Sequence, residues 1–201
     1  MKRVQRFLSA GAALVFGAGS VFLAGAPAGA AQVPALPAAE VSVPSQDAVP
    51  GIAPRDAAGT AVYLDGAGQV MSLPGEPQEV AEAAQFLCTP VSGRDNPHRS
   101  STGVAVSGHG WWNKGNCDND RARVYNCLYE WYTDNTWRQK ACSPKETLKP
   151  GGGSTHRTVA RRNCDNTVPT SWRNHVDVDV IGEADTSEWP YRQADVNCRV
   201  F

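Results

Sequence analysis

The clearest hydrophobic pattern runs over residues 121–142, RARVYNCLYEWYTDNTWRQKAC. Tyr125, Cys127, Tyr129 and Trp131 fall on one parity and Val124, Leu128 and Tyr132 on the other, the pattern of a strand covered on both faces. Asp134 and Asn135 tolerate left-handed backbone and bond their own main chain, so they predict a turn; a longer loop is the alternative, because the usual second-position glycine is missing. Residues 136–142 return as a strand, with Trp137, Gln139 and Ala141 on one side and Arg138, Lys140 and Cys142 on the other. Period-two alternation is plainest over residues 172–182, WRNHVDVDVIG. It puts Val176, Val178 and Val180 inward and His175, Asp177, Asp179 and Ile181 outward. Weaker alternation marks residues 102–107, 154–162 and 191–200, whereas KPGGGS at 149–154 reads as a loop. Short strands at this spacing, without a convincing helix, predict an all-β fold: an antiparallel β-sandwich or small barrel.

The chain begins on a different pattern. Lys2, Arg3 and Arg6 precede an apolar run over residues 7–23, and small residues follow at Ala28, Gly29 and Ala30, which predicts a secretory signal peptide over residues 1–30. A transmembrane anchor needs about 20 predominantly apolar residues, more than this Gly- and Ser-diluted run offers. No lipid-anchor cysteine follows, so the expectation is export without a membrane anchor, leaving 171 of 201 residues. Residues 31–85 hold seven prolines, one aromatic (Tyr63) and no cysteine, with seven acidic side chains against Arg55 alone. That composition predicts a largely disordered, acidic Pro/Ala-rich linker, or a propeptide removed after export. Within it, residues 61–73 can form a short hairpin about Asp65 and Gly66, and residues 76–87 a brief helix.

The folded, disulfide-rich β domain is expected over residues 86–201, which contain all six cysteines (Cys88, Cys117, Cys127, Cys142, Cys164, Cys198) and all six tryptophans. Behind a signal peptide, six cysteines predict three disulfides in an oxidising compartment, and the lack of any C-x-x-C pair argues against a zinc set. Spacing does not fix the pairing; Cys117 with Cys127, closing across a turn, and Cys164 with Cys198, clamping the last strand, are the pairs expected. From Cys88 onward fifteen Lys and Arg stand against thirteen Asp and Glu, a net charge of plus two. A charge this small gives no argument for nucleic acid.

The segments WYTDNTWRQKACSPK, GGGSTHRTVARRNC and SWRNHVDVDVIGEAD, with the terminal NCRVF, resemble a set of small exported proteins of high-GC Gram-positive bacteria that carry no assigned activity. The resemblance covers the C-terminal half of the chain. It implies export and a compact disulfide domain, and it implies neither a reaction nor catalytic residues.

Three constellations could carry chemistry. In SGHGWWNKGN, residues 107–116, two adjacent tryptophans in a glycine-rich loop do not easily enter one core. At least one indole is therefore expected at the surface as a stacking platform for a sugar ring or a partner side chain, with His109 beside it and Asn113 and Lys114 as a polar rim. The plainer reading has one tryptophan capping the core and the other half covered by a loop. The outward row His175, Asp177 and Asp179, followed by Glu183 and Asp185, could share a calcium ion if a loop oxygen joined it. The favoured alternative is a solvated face on which Asp177 and Asp179 meet Arg157, Arg161 or Arg162, and no metal or other cofactor is expected. Lastly, an acid-base pair drawn from His98, His109, His156, His175 and Glu130 would suit a secreted ribonuclease, although no spacing singles one out. The Arg157, Arg161 and Arg162 cluster reads as a solubilising strand face, and no serine-elbow or H-E-x-x-H motif occurs.

These readings combine into a secreted, non-catalytic binding module of the extracellular or envelope space. It would contact cell-wall glycan or an extracellular protein through His109, Trp111, Trp112, Asn113 and Lys114. The alternatives are a protease inhibitor presenting the 142–154 loop and a small ribonuclease-type hydrolase in which two histidines converge.

Overall fold

The computed structural model describes residues 44–54, 61–71, 88–185 and 189–201. All regular structure among them is strand: β1 Val62–Leu64, β2 Val91–Arg94, β3 His98–Arg99, β4 Ala105–Asn113, β5 Ala122–Tyr132, β6 Thr136–Cys142, β7 Glu146–Leu148, β8 Thr158–Asn163, β9 Thr170–Val180 and β10 Tyr191–Val196. No helix among the described residues is long and apolar enough to cross a membrane. Six strands form one sheet in the order β1-β6-β5-β9-β10, with β7 also paired to β5; a second sheet has the order β2-β4-β3, with β8 also paired to β4. Every pairing is antiparallel except that of β1 with β6.

The expected hairpin is β5–β6, turned at residues 133–135 with Asn135 in left-handed backbone at φ 60°. Both faces of β5 are covered, by different partners. Val124 meets Trp112, Val176 and Val178 in one apolar cluster, and Leu128 meets Val106, Ala160 and Trp172 in another, so side chains of the two sheets share these cores. On the other parity, Cys127, Tyr129 and Trp131 pack with Tyr63, Trp137, Trp189 and Ala53. Two of those residues come from the Pro/Ala-rich segment.

That last contact corrects the expected boundary at residue 86. All the described residues, from Pro44 to Phe201, belong to one compact unit. Its N-terminal part includes the hairpin foreseen about Asp65 and Gly66, in which Leu64 bridges Val70 and the Asp65 carboxylate accepts from the backbone of Ala67 and Gln69. One aromatic ring is enough to anchor it, because Tyr63 fills a space between Tyr129, Trp137 and His175 that would otherwise be wet. The foreseen helix at 76–87 and the signal peptide lie outside the described residues.

The three disulfides are Cys88–Cys117, Cys127–Cys142 and Cys164–Cys198. The third is as expected, whereas the expected Cys117–Cys127 pair is replaced. Strand register decides this: Cys127 and Cys142 stand opposite each other on β5 and β6, leaving Cys117 to tie the start of the domain at Cys88. Three disulfides are compatible with an extracellular protein.

Two further expectations change. Residues 107–113 are no loop; they complete β4, the central strand of the smaller sheet. The glycines at 108 and 110 share the inward parity, where a Cβ would come within 2.7 Å of Asn174 Cγ or 3.0 Å of the Thr158 and Val176 side chains. They permit close approach of the second sheet rather than marking a turn. His175, expected outward, is 1% exposed, because that face of β9 is covered by Tyr63 and Trp189.

Candidate functional site

Alternation along β4 sends Val106, Gly108, Gly110 and Trp112 inward and leaves Ser107, His109, Trp111 and Asn113 on the outer face of the smaller sheet. Neighbouring strands add to that face in register. His98 of β3 pairs Ser107 on one edge, and Arg161 and Val159 of β8 pair Ser107 and His109 on the other. The result is a groove of about 310 Å³ lined by His98, Ser107, His109, Arg157, Val159 and Arg161, together with Ser100 and Ser101. A larger concavity of about 520 Å³ lies between the 64–68 hairpin and β6. It contains no histidine, and its Arg138 is paired with Asp134 at 2.7 Å.

The groove is organised by Asp95, which occupies the break between β2 and β3 just before Pro97. Proline removes a ladder donor, so the edge strand is interrupted and a side chain can turn in against β4. Asp95 Oδ1 accepts from the backbone N–H of His109 at 2.7 Å, and Oδ2 accepts from His109 Nδ1 at 2.5 Å. Buried Asn174 supports the same residue, donating from Nδ2 to the Asp95 and His109 carbonyls at 3.2 and 2.9 Å. His98 is fixed in a similar way, its Nδ1 donating to the Asn96 carbonyl at 2.9 Å. Both imidazoles therefore hold a proton at Nδ1 and leave Nε2 as the free ring nitrogen. Their rings are nearly parallel, with centroids 5.4 Å apart and planes at 21°.

Donor atoms of Asp95, His98 and His109 lie within 4.8 Å of one another, so a metal reading can be tested. Two ligands on one ion bonded at about 2.0–2.1 Å stand more than 3 Å apart in tetrahedral geometry. Asp95 Oδ2 and His109 Nδ1 stand instead at the 2.5 Å of a hydrogen bond. The second candidate group, Cys88, Cys117 and Glu183, has both thiols in a disulfide. Asp177 and Asp179, considered above for calcium, share the Lys145 ammonium at 3.8 and 3.0 Å, and Lys145 replaces the arginines expected opposite them. Burial first, and then the Asp179 charge, push the Asp177 carboxyl up to about 6.

Trp112 is fully buried, its indole N–H donating to the Leu148 carbonyl at 3.1 Å, so it is no contact residue. Trp111 is half-buried, and of the six tryptophans it alone is not sealed into the core. Its pyrrole edge lies where a side chain on Gly93 would be, a Cβ there falling 2.0 Å from Nε1, and it abuts Gly152 as well. Asn113 and Lys114 are exposed at the end of the strand. The 142–154 segment considered for an inhibitor is tied down by β7 and by a Gly151 bridge to Trp112.

The structure thus unites His98 and His109 from the histidine list. It buries His175, leaves His156 outside the groove lining, and seals Glu130 at 0% exposure. Asp95 and Ser107 were not singled out, and Arg157 and Arg161 were read as a solubilising strand face, although Arg161 shares the outward parity of Val159 on β8 and Arg157 stands two residues before Val159. No protein-family model matches this chain, and neither the curated proteins nor the solved structures contain a match.

Proposed function

We propose that this chain is an exported β-sandwich domain that binds an anionic glycan on the outer face of its smaller sheet. The observation that carries this reading is charge without a counterion: among the described residues, neither Arg157 nor Arg161 has a carboxylate partner, and both line the groove beside the two histidines. A guanidinium is suited to phosphate or carboxylate because its planar fork donates two parallel hydrogen bonds. Trp111 follows His109 by two strand positions, so its indole stands about 7 Å further along the same face. There it can support a sugar ring. The leader-like pattern of residues 1–30 and the three disulfides favour an extracellular or envelope ligand.

The test is retention on insoluble cell-wall glycan before and after its acidic groups are removed. The wild type is compared with Arg157→Ala/Arg161→Ala and with Trp111→Ala. Each variant is expected to lose at least about tenfold in affinity, or about 1.4 kcal/mol, and salt is expected to weaken the wild type. Equal retention of all three proteins, or indifference to removal of the acidic groups, would refute the reading.

A further inference from the structure

The two histidines are held in a way that binding alone does not require. Each ring is locked by a hydrogen bond from Nδ1, to the Asp95 carboxylate in one case and to the Asn96 carbonyl in the other. Each therefore offers Nε2 for proton transfer in the same groove as Arg157 and Arg161. A carboxylate behind an imidazole holds it in one tautomer and stabilises the cation formed when the ring takes a proton. His98 is the more open of the two, with 43% of its side chain exposed against 15% for His109.

We infer that the groove cleaves a phosphodiester whose alcohol carries a second hydroxyl on the neighbouring carbon. This rests on the anionic-ligand reading above. His109 Nε2 removes the proton of that hydroxyl, and the freed oxygen attacks phosphorus. A new P–O bond closes a five-membered cyclic phosphate, while the P–O bond to the other alcohol breaks. The departing oxygen takes a proton from Nε2 of His98, which enters the cycle as the imidazolium, protonated at both ring nitrogens, and leaves it neutral. Products are a cyclic phosphodiester and an alcohol, nothing is oxidised or reduced, and water returns the proton from His109 to His98. Arg157 and Arg161 meet the phosphate charge, which grows in the transition state. Ser107, between His98 and Arg161 in the cross-strand row, is 5% exposed and forms the floor.

The probe is 2-hydroxypropyl 4-nitrophenyl phosphate, with bis(4-nitrophenyl) phosphate as a control that lacks the hydroxyl. A ribonucleotide dimer and a glycerol phosphate oligomer serve as substrates with poor leaving groups. The wild type is expected to release nitrophenolate from the first probe and to leave the control untouched. Loss of a general acid or base typically costs about 100-fold or more, so His109→Gln is expected to lose that much on every substrate. His98→Gln is expected to lose as much on the dimer or the oligomer and less than about tenfold on the nitrophenyl ester, because nitrophenolate leaves without a proton. That split separates an acid from a merely structural residue. Whichever of dimer and oligomer is cleaved identifies the source of the substrate.

A 2′-deoxy dinucleotide, which can bind but cannot cyclise, keeps the two readings apart. If the wild type binds it or the acidic glycan and turns over no substrate, the catalytic inference fails and the binding reading stands. If it binds neither, both fall. Turnover unchanged in both histidine variants overturns the inference as well. His98 lies at the surface, so its variant remains informative if His109→Gln fails to fold.

Discussion

Lowering the pH from 7 to 4.5 sets two buried groups against each other. Neutral His175 donates from Nδ1 to the Trp189 carbonyl at 3.0 Å and accepts at Nε2 from the Tyr63 hydroxyl at 3.1 Å, while that hydroxyl accepts from Arg173. Protonating the ring would turn a donor against Tyr63 beside a guanidinium. Burial first, and then the Arg173 and Arg94 charges, hold the His175 pKa down at about 3 against an ordinary 6.5. The unfolded chain therefore binds a proton below 6.5 that the folded chain refuses. Stability from this group is complete above pH 6.5 and is lost as pH falls toward 3, at about 1.4 kcal/mol per pH unit. Glu130 has the opposite sign. Burial pushes its carboxyl from 4.5 up to about 7, despite hydrogen bonds from Val200 and Thr170 and the Lys140 ammonium 3.7 Å away. Its contribution is complete below pH 4.5 and is lost as pH rises through 7.

Over this interval each term amounts to about 3 kcal/mol, and the two offset one another. Replacing one group exposes the other. Glu130→Gln keeps an acceptor for Val200 and Thr170 and removes the titration, so its stability relative to wild type is expected to fall by about 3 kcal/mol between pH 7 and 4.5. His175→Gln is expected to rise relative to wild type by a similar amount. Asp177, pushed up to about 6, has the sign of Glu130 and is common to all three proteins, so it cancels in the differences. Guanidinium unfolding with disulfides intact, followed by tryptophan fluorescence at four pH values, gives the slopes. Parallel curves for all three proteins would show that neither group is held away from its ordinary titration.

Other substitutions test the packing that supports the candidate site. Gly93→Ala puts a Cβ where the Trp111 ring lies, 2.0 Å from Nε1. The ring should be expelled, with red-shifted fluorescence and the binding loss of Trp111→Ala, in a chain that keeps its indole. Tyr63→Phe removes the hydroxyl between Arg173 and His175 and is expected to cost about 1–3 kcal/mol in denaturant unfolding; no loss would mean that the N-terminal segment does not belong to the core. Gly108→Ala forces a methyl within 2.7 Å of Asn174 Cγ, and about 1–3 kcal/mol of destabilisation is expected for such overpacking.

Side-chain alternation made the β5–β6 hairpin and the inward valines of β9 legible, because period two is a local property of the chain. It misassigned β4 because glycine carries no hydrophobic signal: Gly108 and Gly110 occupy the inward positions where a valine would have marked a strand. It also misplaced His175 and Trp112. Parity says which residues share a face, and only the covering layer decides whether that face meets water. Over His175 that layer is Tyr63, from β1 three places away in the sheet, and Trp189, from the segment that leads into β10; over Trp112 it is the larger sheet. The groove stayed hidden for a related reason. His98, Ser107 and Arg161 form a row only through the register of three strands, and Asp95 enters it through a break in an edge strand that composition does not reveal.

The inward glycines also explain why the outer face can be held so firmly. Without side chains at 108 and 110, the β4 backbone lies open to the amides of the larger sheet. Asn126 Nδ2 donates to the Gly108 carbonyl at 2.9 Å and to Asn174 Oδ1 at 2.8 Å, and its Oδ1 accepts from Thr158 at 2.8 Å. Apolar packing there would stabilise the fold at least as well, since buried polar groups bring little net stability even when fully bonded. What the amides add is direction. Asn174 ends the chain of bonds on the carbonyls of Asp95 and His109, so the carboxylate that orients the imidazole is itself fixed from the opposite sheet. A site resting on an edge-strand break would otherwise drift with that edge. Tied through Asn174 to β9, it moves only if the two sheets move, as precise placement of a proton-transferring ring demands.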